Sequence, residues 1–180
     1  MKWQIDPSHT SIGAKVKHMM VSTVRGSFAG ATGTIDFDPA SPGTGSVELH
    51  IPAASVNTGD EKRDAHLRSA DFLDAGTYPE IVFKSTTVRA SRKDSFVVDG
   101  DLTIRGITKP ATVNVELAGI AEDPRAGQRA AFDATASFDR TQWGLTWNMP
   151  VPSGVLVSEK IVLEASVAAT PEAVATAAAA

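Results

Sequence analysis

The sequence predicts an all-β fold, an eight-stranded antiparallel barrel with a short helical insert between strands three and four. Three observations carry this. Apolar residues recur with period two in most segments, the signature of half-buried strands. The alternating runs number eight, are separated by short Gly-, Pro- and Asp-bearing turns, and return at fairly regular spacing. One stretch, 60–75, departs from the pattern with helical spacing. A sandwich shares the first two features, and closure fits better. A chain of 180 residues that is 42% hydrophobic suffices for one packed domain and is short for two. The expected division is a barrel over 1–168 and a flexible Ala-rich tail over 169–180.

Taken in order, Trp3 and Ile5 alternate around Gln4 in a short leading strand, and Asp6-Pro7-Ser8 reads as a turn. Strand one follows from Ser11 to Met19, with Ile12, Ala14, Val16 and His18 on one face. The glycine-punctuated stretch 25–30 leads to strand two, where Gly33, Ile35 and Phe37 alternate with Thr34, Asp36 and Asp38. A Ser-, Pro- and Gly-rich loop over 39–45 precedes strand three, built on Val47, Leu49 and Ile51. The helical insert spans Asp60 to Ala75, with Asp60 as N-cap, Leu67, Ala70 and Leu73 on one face, and Gly76 as terminator. Strand four starts at Tyr78-Pro79 and carries Ile81 and Phe83 inward.

The clearest pair comes next. Phe96, Val98, Leu102 and Ile104 share a face with Gly100 in strand five, Arg105 to Lys109 reads as a hairpin turn, and Val113, Val115 and Leu117 mark strand six. Phe132, Ala134, Ala136 and Phe138 line strand seven. The segment 143–147 is expected to be an aromatic-rich loop in which Trp143 and Trp147 cover a barrel mouth or cap the core. Strand eight is expected from Val155 to Ala168, with Ile161, Leu163, Ala165 and Val167 inward. An eight-stranded barrel is just wide enough to be filled by side chains or to hold one small ligand. Small inner residues (Ala14, Gly100, Ala134, Ala136) point to remaining space.

Composition excludes several functions. The formal net charge is −4 and the basic residues are scattered, unlike a nucleic-acid footprint. There are no cysteines, so disulfides, thiol catalysis and thiolate metal sites are out. No apolar run approaches the roughly 20 residues of a spanning helix. The opening residues lack the charged and apolar regions of a secretory signal, giving a cytoplasmic expectation.

Candidate chemistry is sparse. His18 ends an apolar face and could be a polar handle for a ligand head group, although a core histidine bonded to backbone is the slightly favoured alternative. His9, His18, His50 and His66 have no ligand spacing, so no metal is expected. Charges at Arg63, Asp64, Arg68 and Asp71 read as a solvated helix face. Asp99 and Asp101 stand on an outward strand face, so they form no acid and base pair, and no nucleophile elbow or phosphate loop is present.

These segments together are similar to the YceI-like family of lipocalin-like polyisoprenoid-binding proteins, from Trp3 to about Val167. Trp3-Gln4-Ile5-Asp6-Pro7-Ser8-His9 resembles the family opening, and Val16-Lys17-His18-Met19 with Val24-Arg25-Gly26-Ser27-Phe28 its first strand and turn. The stretches 63–74 and 78–83 resemble the helical insert and the strand after it, and 100–110 is the most family-specific piece. The resemblance implies a lipocalin-like barrel whose lumen takes a polyisoprenoid or isoprenoid-quinone-like lipid, with no catalytic activity and no cofactor. The residues expected to meet that ligand are Ile12, Ala14, Val16, His18, Ile81, Phe83, Phe96, Val98, Leu102, Ile104, Val113, Val115, Leu117, Phe132, Ala134, Ala136, Phe138 and Trp143. Ala14 stands where the family commonly has Phe, which would widen the lumen. The reading leaves room for a homodimer. Two other functions stay open: a small-molecule enzyme using His18 as acid or base, and a filled barrel serving as a stress-associated interaction module.

Overall fold

A computed structural model of the chain describes residues 1–38, 40–41, 44–125 and 127–172. The strands are β1 (Lys2–Ile5), β2 (Ser11–His18), β3 (Ser22–Phe28), β4 (Thr32–Asp36), β5 (Ser46–Pro52), β6 (Glu80–Arg92), β7 (Ser95–Ile104), β8 (Ile107–Asp123), β9 (Gly127–Asp139), β10 (Pro150–Val151), β11 (Gly154–Val155) and β12 (Lys160–Pro171). Among the described residues one α-helix, α1 (Glu61–Arg68), lies between β5 and β6. All main-sheet pairings are antiparallel, and β12 closes the barrel, pairing with β9 on one side and with β2 and β1 on the other.

Eight staves result because β1 and β2 form one broken stave, and β3 and β4 form the next. The break between β1 and β2 is a 3-10 turn, Pro7–His9, whose start is capped by the Asp6 carboxylate accepting from the Ser8 amide at 2.9 Å. β2 pairs with β3 through Ala14↔Gly26, and β1 pairs with β4 through Trp3↔Ile35. The expected barrel is therefore present, but β3, a full-length strand half, was not anticipated. Its only large apolar residues are Val24 and Phe28, too few to reveal a period.

Several boundaries differ from expectation for physical reasons. The β7–β8 hairpin turns on two residues, Arg105 and Gly106, both at positive φ (50° and 71°), with Ile104 paired to Ile107. That is the geometry of a type I′ turn, which matches the right-handed strand twist. Pro110 accordingly sits inside β8 opposite Asp101, at a position where its missing N–H points away from β7. The helix ends at Ser69, not near Gly76: the Ser69 hydroxyl and amide both donate to the His66 carbonyl, and 70–79 form turns. Gly154–Val155 forms a small hairpin with β10, so the last long strand begins at Lys160. It continues to Pro171, three residues into the expected tail, because Ala169, Thr170 and Pro171 pair with Ile5, Gln4 and Trp3. Residues 173–180 of that tail, and parts of the 39–45 loop, lie outside the described residues.

The barrel interior is closed at one end by aromatic packing. Phe37 stands edge-on to Phe96 (5.8 Å) and Phe132 (5.5 Å), with Trp3 (1% exposed) donating its indole N–H to the Phe37 carbonyl. The opposite end carries the β2–β3 turn, the 53–79 segment with α1, the β7–β8 hairpin and the 140–159 segment.

Candidate functional site, an apolar lumen

The strand rows that face inward do not fill the barrel. They enclose a cavity of about 720 Å³. β2 contributes Ile12, Ala14, Val16 and His18; β6 contributes Ile81 and Phe83; β7 contributes Phe96, Val98, Leu102 and Ile104. Val113 and Val115 come from β8, and Phe132, Ala134, Ala136 and Phe138 from β9. These are the residues expected from alternation, and one register rule places them all: successive side chains point to opposite faces of the sheet.

Two expected residues lie elsewhere. Leu117 stands beside the register shift between Leu117 and Gly119, pairs with Phe132, and packs half-buried against the core outside the lumen. Trp143 is 1% exposed, donates its indole N–H to the Leu102 carbonyl at 2.8 Å, and packs edge-on to Phe138 at 4.9 Å. It caps the core because its polar tip is satisfied by the barrel backbone rather than by the cavity. Gly100 also does not leave space open. A Cβ there would stand 2.6 Å from the Phe83 ring, so the glycine makes room for that ring.

The α1 end of the lumen is built by residues that alternation does not reveal. Leu67, Phe72, Leu73, Leu145 and Trp147 all line it. His66 and Trp147 meet edge-on at 4.7 Å, Phe72 packs against both, and His66 Nε2 reaches the Asp71 carboxylate at 2.8 Å. The helix that delivers His66 has little apolar surface and is fixed by polar contacts. Asp60 caps it by accepting from the Arg63 amide at 2.9 Å. Asp64, 6% exposed, accepts from the Thr58 hydroxyl (2.6 Å) and amide (2.9 Å), and the hydroxyl bond is the main reason its carboxyl is held below the usual range. Arg68 donates to the Ala54 and Val56 carbonyls, tying the helix to the end of β5.

Arg140 organises the other wall. It is 2% exposed and donates to four carbonyls: Leu145, Trp147, Val157 and Ser158. Burial weakens its hold on its proton relative to a free guanidinium. Its fork pins the 140–159 segment so that Leu145, Trp147, Leu156 and Val157 face the lumen. His18 lines the cavity with no hydrogen-bond partner for its ring among the described residues, which corrects the expectation of a backbone-bonded core histidine. Among those residues no group of histidines and carboxylates could hold a metal ion.

The sequence profile of the YceI-like domain matches residues 3–169. The chain belongs to the YceI-like family. A UPF0312 protein of Vibrio cholerae serotype O1 is 38% identical over 138 residues, covering 77% of this chain and 73% of that protein. The solved YCEI protein of Campylobacter jejuni superposes with a TM-score of 0.74 at 28% identity, covering 87% of this chain and 90% of its own. A polyisoprenoid binding domain from Saccharophagus degradans shares the fold, with a TM-score of 0.68 at 12% identity over 94% of this chain and 98% of that one. The expected barrel class and family are thus both established.

Proposed function

We propose that the protein binds a long-chain polyisoprenoid or a similar lipophile in its lumen, in storage, transport or sequestration. The observation that carries this reading is the continuous, almost wholly apolar cavity of about 720 Å³ inside a YceI-like barrel. Benzene occupies an engineered cavity of about 150 Å³, about 25 Å³ per carbon, so this lumen accommodates roughly 30 carbons, or about six isoprene units. Burial alone favours such a ligand: ten methylene-sized groups contribute about 8 kcal/mol before association costs. The polyisoprenoid-binding domain of the same fold is consistent with the ligand class.

His18 is the polar member of the inward β2 row and stands at its α1 end, where it serves the head group of the ligand rather than a reaction. An acid or base needs an orienting partner, and the His18 ring has none among the described residues. The test is displacement of an apolar fluorophore from the lumen by polyprenyl alcohols of increasing length. Affinity should rise with each isoprene unit to about six and then level off. Affinity independent of chain length would overturn the reading.

A further inference from the structure

We propose that the Met19–Met20–Val21 turn, together with Met149 and Val155, forms a docking rim that seats the α1 end of the lumen on a lipid bilayer. The inference rests on the lumen being a lipid site and adds where the lipid is exchanged.

Exposed large hydrophobic side chains are concentrated at this end. Met19, Met20 (56% exposed), Val21 (82%), Met149 (51%), Val155 and Tyr78 all lie there, whereas Met1 and Ile120 stand apart toward the opposite end. The turns at the opposite end instead carry Arg92, Lys93, Asp94, Asp123 and Arg125. An apolar cluster of this kind on one pole marks an interaction surface.

The backbone holds these side chains outward. Met19 and Met20 have φ of 53° and 59°, and the Val21 amide closes the turn on the His18 carbonyl at 3.1 Å. Two consecutive positive-φ residues in a hairpin favour Asn-Gly, and methionine is sterically disfavoured at both. The segments are joined into one patch: the Met19 amide donates to the Leu156 carbonyl at 2.8 Å, the Leu156 amide to the Met149 carbonyl at 2.9 Å, and the Ser153 hydroxyl to the Met19 carbonyl at 3.3 Å.

The patch is continuous with the lumen, since His18, Leu156 and Val157, its chain neighbours, line the cavity. Its surroundings suit a headgroup layer. Lys17, beside the turn, and Lys62 and Arg63 of α1 line this end of the cavity with Asp60, and Glu61, Asp71, Asp74 and Glu159 stand in the same end segments, so charges of both signs ring the patch, as a layer of zwitterionic and anionic headgroups accepts. Flexible methionines and a valine entering the acyl boundary, with basic groups behind them at the phosphates, is the arrangement of an interfacial anchor.

The test replaces Met19→Asn together with Met20→Gly, the pair that the turn geometry prefers. Wild type and variant are sedimented with mixed phosphatidylcholine and phosphatidylglycerol vesicles, melted, and titrated with N-phenyl-1-naphthylamine in vesicle-free solution. The wild type should sediment with vesicles, and the variant should lose at least tenfold in partitioning while melting at the same or a higher temperature. Equal partitioning of both proteins, or a wild type that stays in the supernatant, would overturn the rim. So would a wild-type dimer in vesicle-free solution that the variant dissociates, since a second copy would then cover the patch. The fluorophore reads the lumen separately: its failure to bind either protein counts against the lipid site, while vesicle partitioning and the oligomeric state decide the rim.

Discussion

Replacing Ala14 with phenylalanine tests whether the inner row of β2 borders empty space. Ala14 lines the lumen and pairs with Leu163 on one side and Gly26 on the other. The substitution adds a six-carbon ring, about 150 Å³ on the benzene scale, to a cavity of about 720 Å³. Capacity then falls by about six carbons, from just under 30 to roughly 23, a loss of about one isoprene unit. Six displaced carbons correspond to about 5 kcal/mol at most, and slippage of a flexible chain toward the α1 end lowers this, so a tenfold loss is the minimum expected. The assay pairs thermal melting with titration of geranylgeraniol, at about four isoprene units, and squalene, at about six. Squalene affinity should fall at least tenfold, geranylgeraniol affinity should hold, and the melting temperature should stay within a few degrees. Overpacking of a filled core would instead cost about 1 to 3 kcal/mol with no ligand selectivity, and that result would refute the reasoning.

Gly100→Ala makes the opposite prediction, because its new methyl would stand 2.5 Å from the Lys84 carbonyl oxygen and 2.6 Å from the Phe83 ring. It should destabilise by about 1 to 3 kcal/mol, visible as a lowered denaturation midpoint. Arg129 donates to the Asp6 carboxylate at 2.6 Å, the main reason the Asp6 carboxyl is held far below the usual range. A depressed folded pKa stabilises above the ordinary Asp value and is lost as pH falls below it, so the destabilisation caused by Arg129→Met should be largest near neutrality and shrink progressively on acidification, as read from paired melts. Truncation after Ala168 removes the Ala169, Thr170 and Pro171 pairings beneath Trp3, and should lower the melting temperature by several degrees in calorimetry.

The strand faces were legible because one side of each long strand is wet. In β7 the buried positions Phe96, Val98, Gly100, Leu102 and Ile104 alternate without a fault, and the lumen-facing rows of β2, β6, β8 and β9 follow from the same period. What alternation could not reveal is convergence of non-strand residues. His66, Phe72 and Trp147 come from a helix, a turn and a loop, and only the pinning by Asp64, Arg68 and Arg140 brings them to one end of the cavity. For Trp143 the sequence leaves open whether it covers a mouth or caps the core, because it shows an aromatic near a mouth but not that the Leu102 carbonyl accepts its N–H. Leu117 keeps its period yet packs at the end that Phe37, Phe96 and Phe132 close, paired with Phe132 and against the core rather than the lumen. The single signal that could have exposed the lost strand β3 was the spacing of Val24, Gly26 and Phe28, a period of two with its middle member erased.

Native mass spectrometry of the protein as purified, followed by organic extraction of the bound fraction, tests the lumen most directly. The account predicts one apolar lipid per barrel, of a size near the roughly 30 carbons that fit the cavity, released by solvent and absent from the Ala14→Phe variant at full length. A ligand-free barrel that also fails to take up squalene on incubation would contradict it.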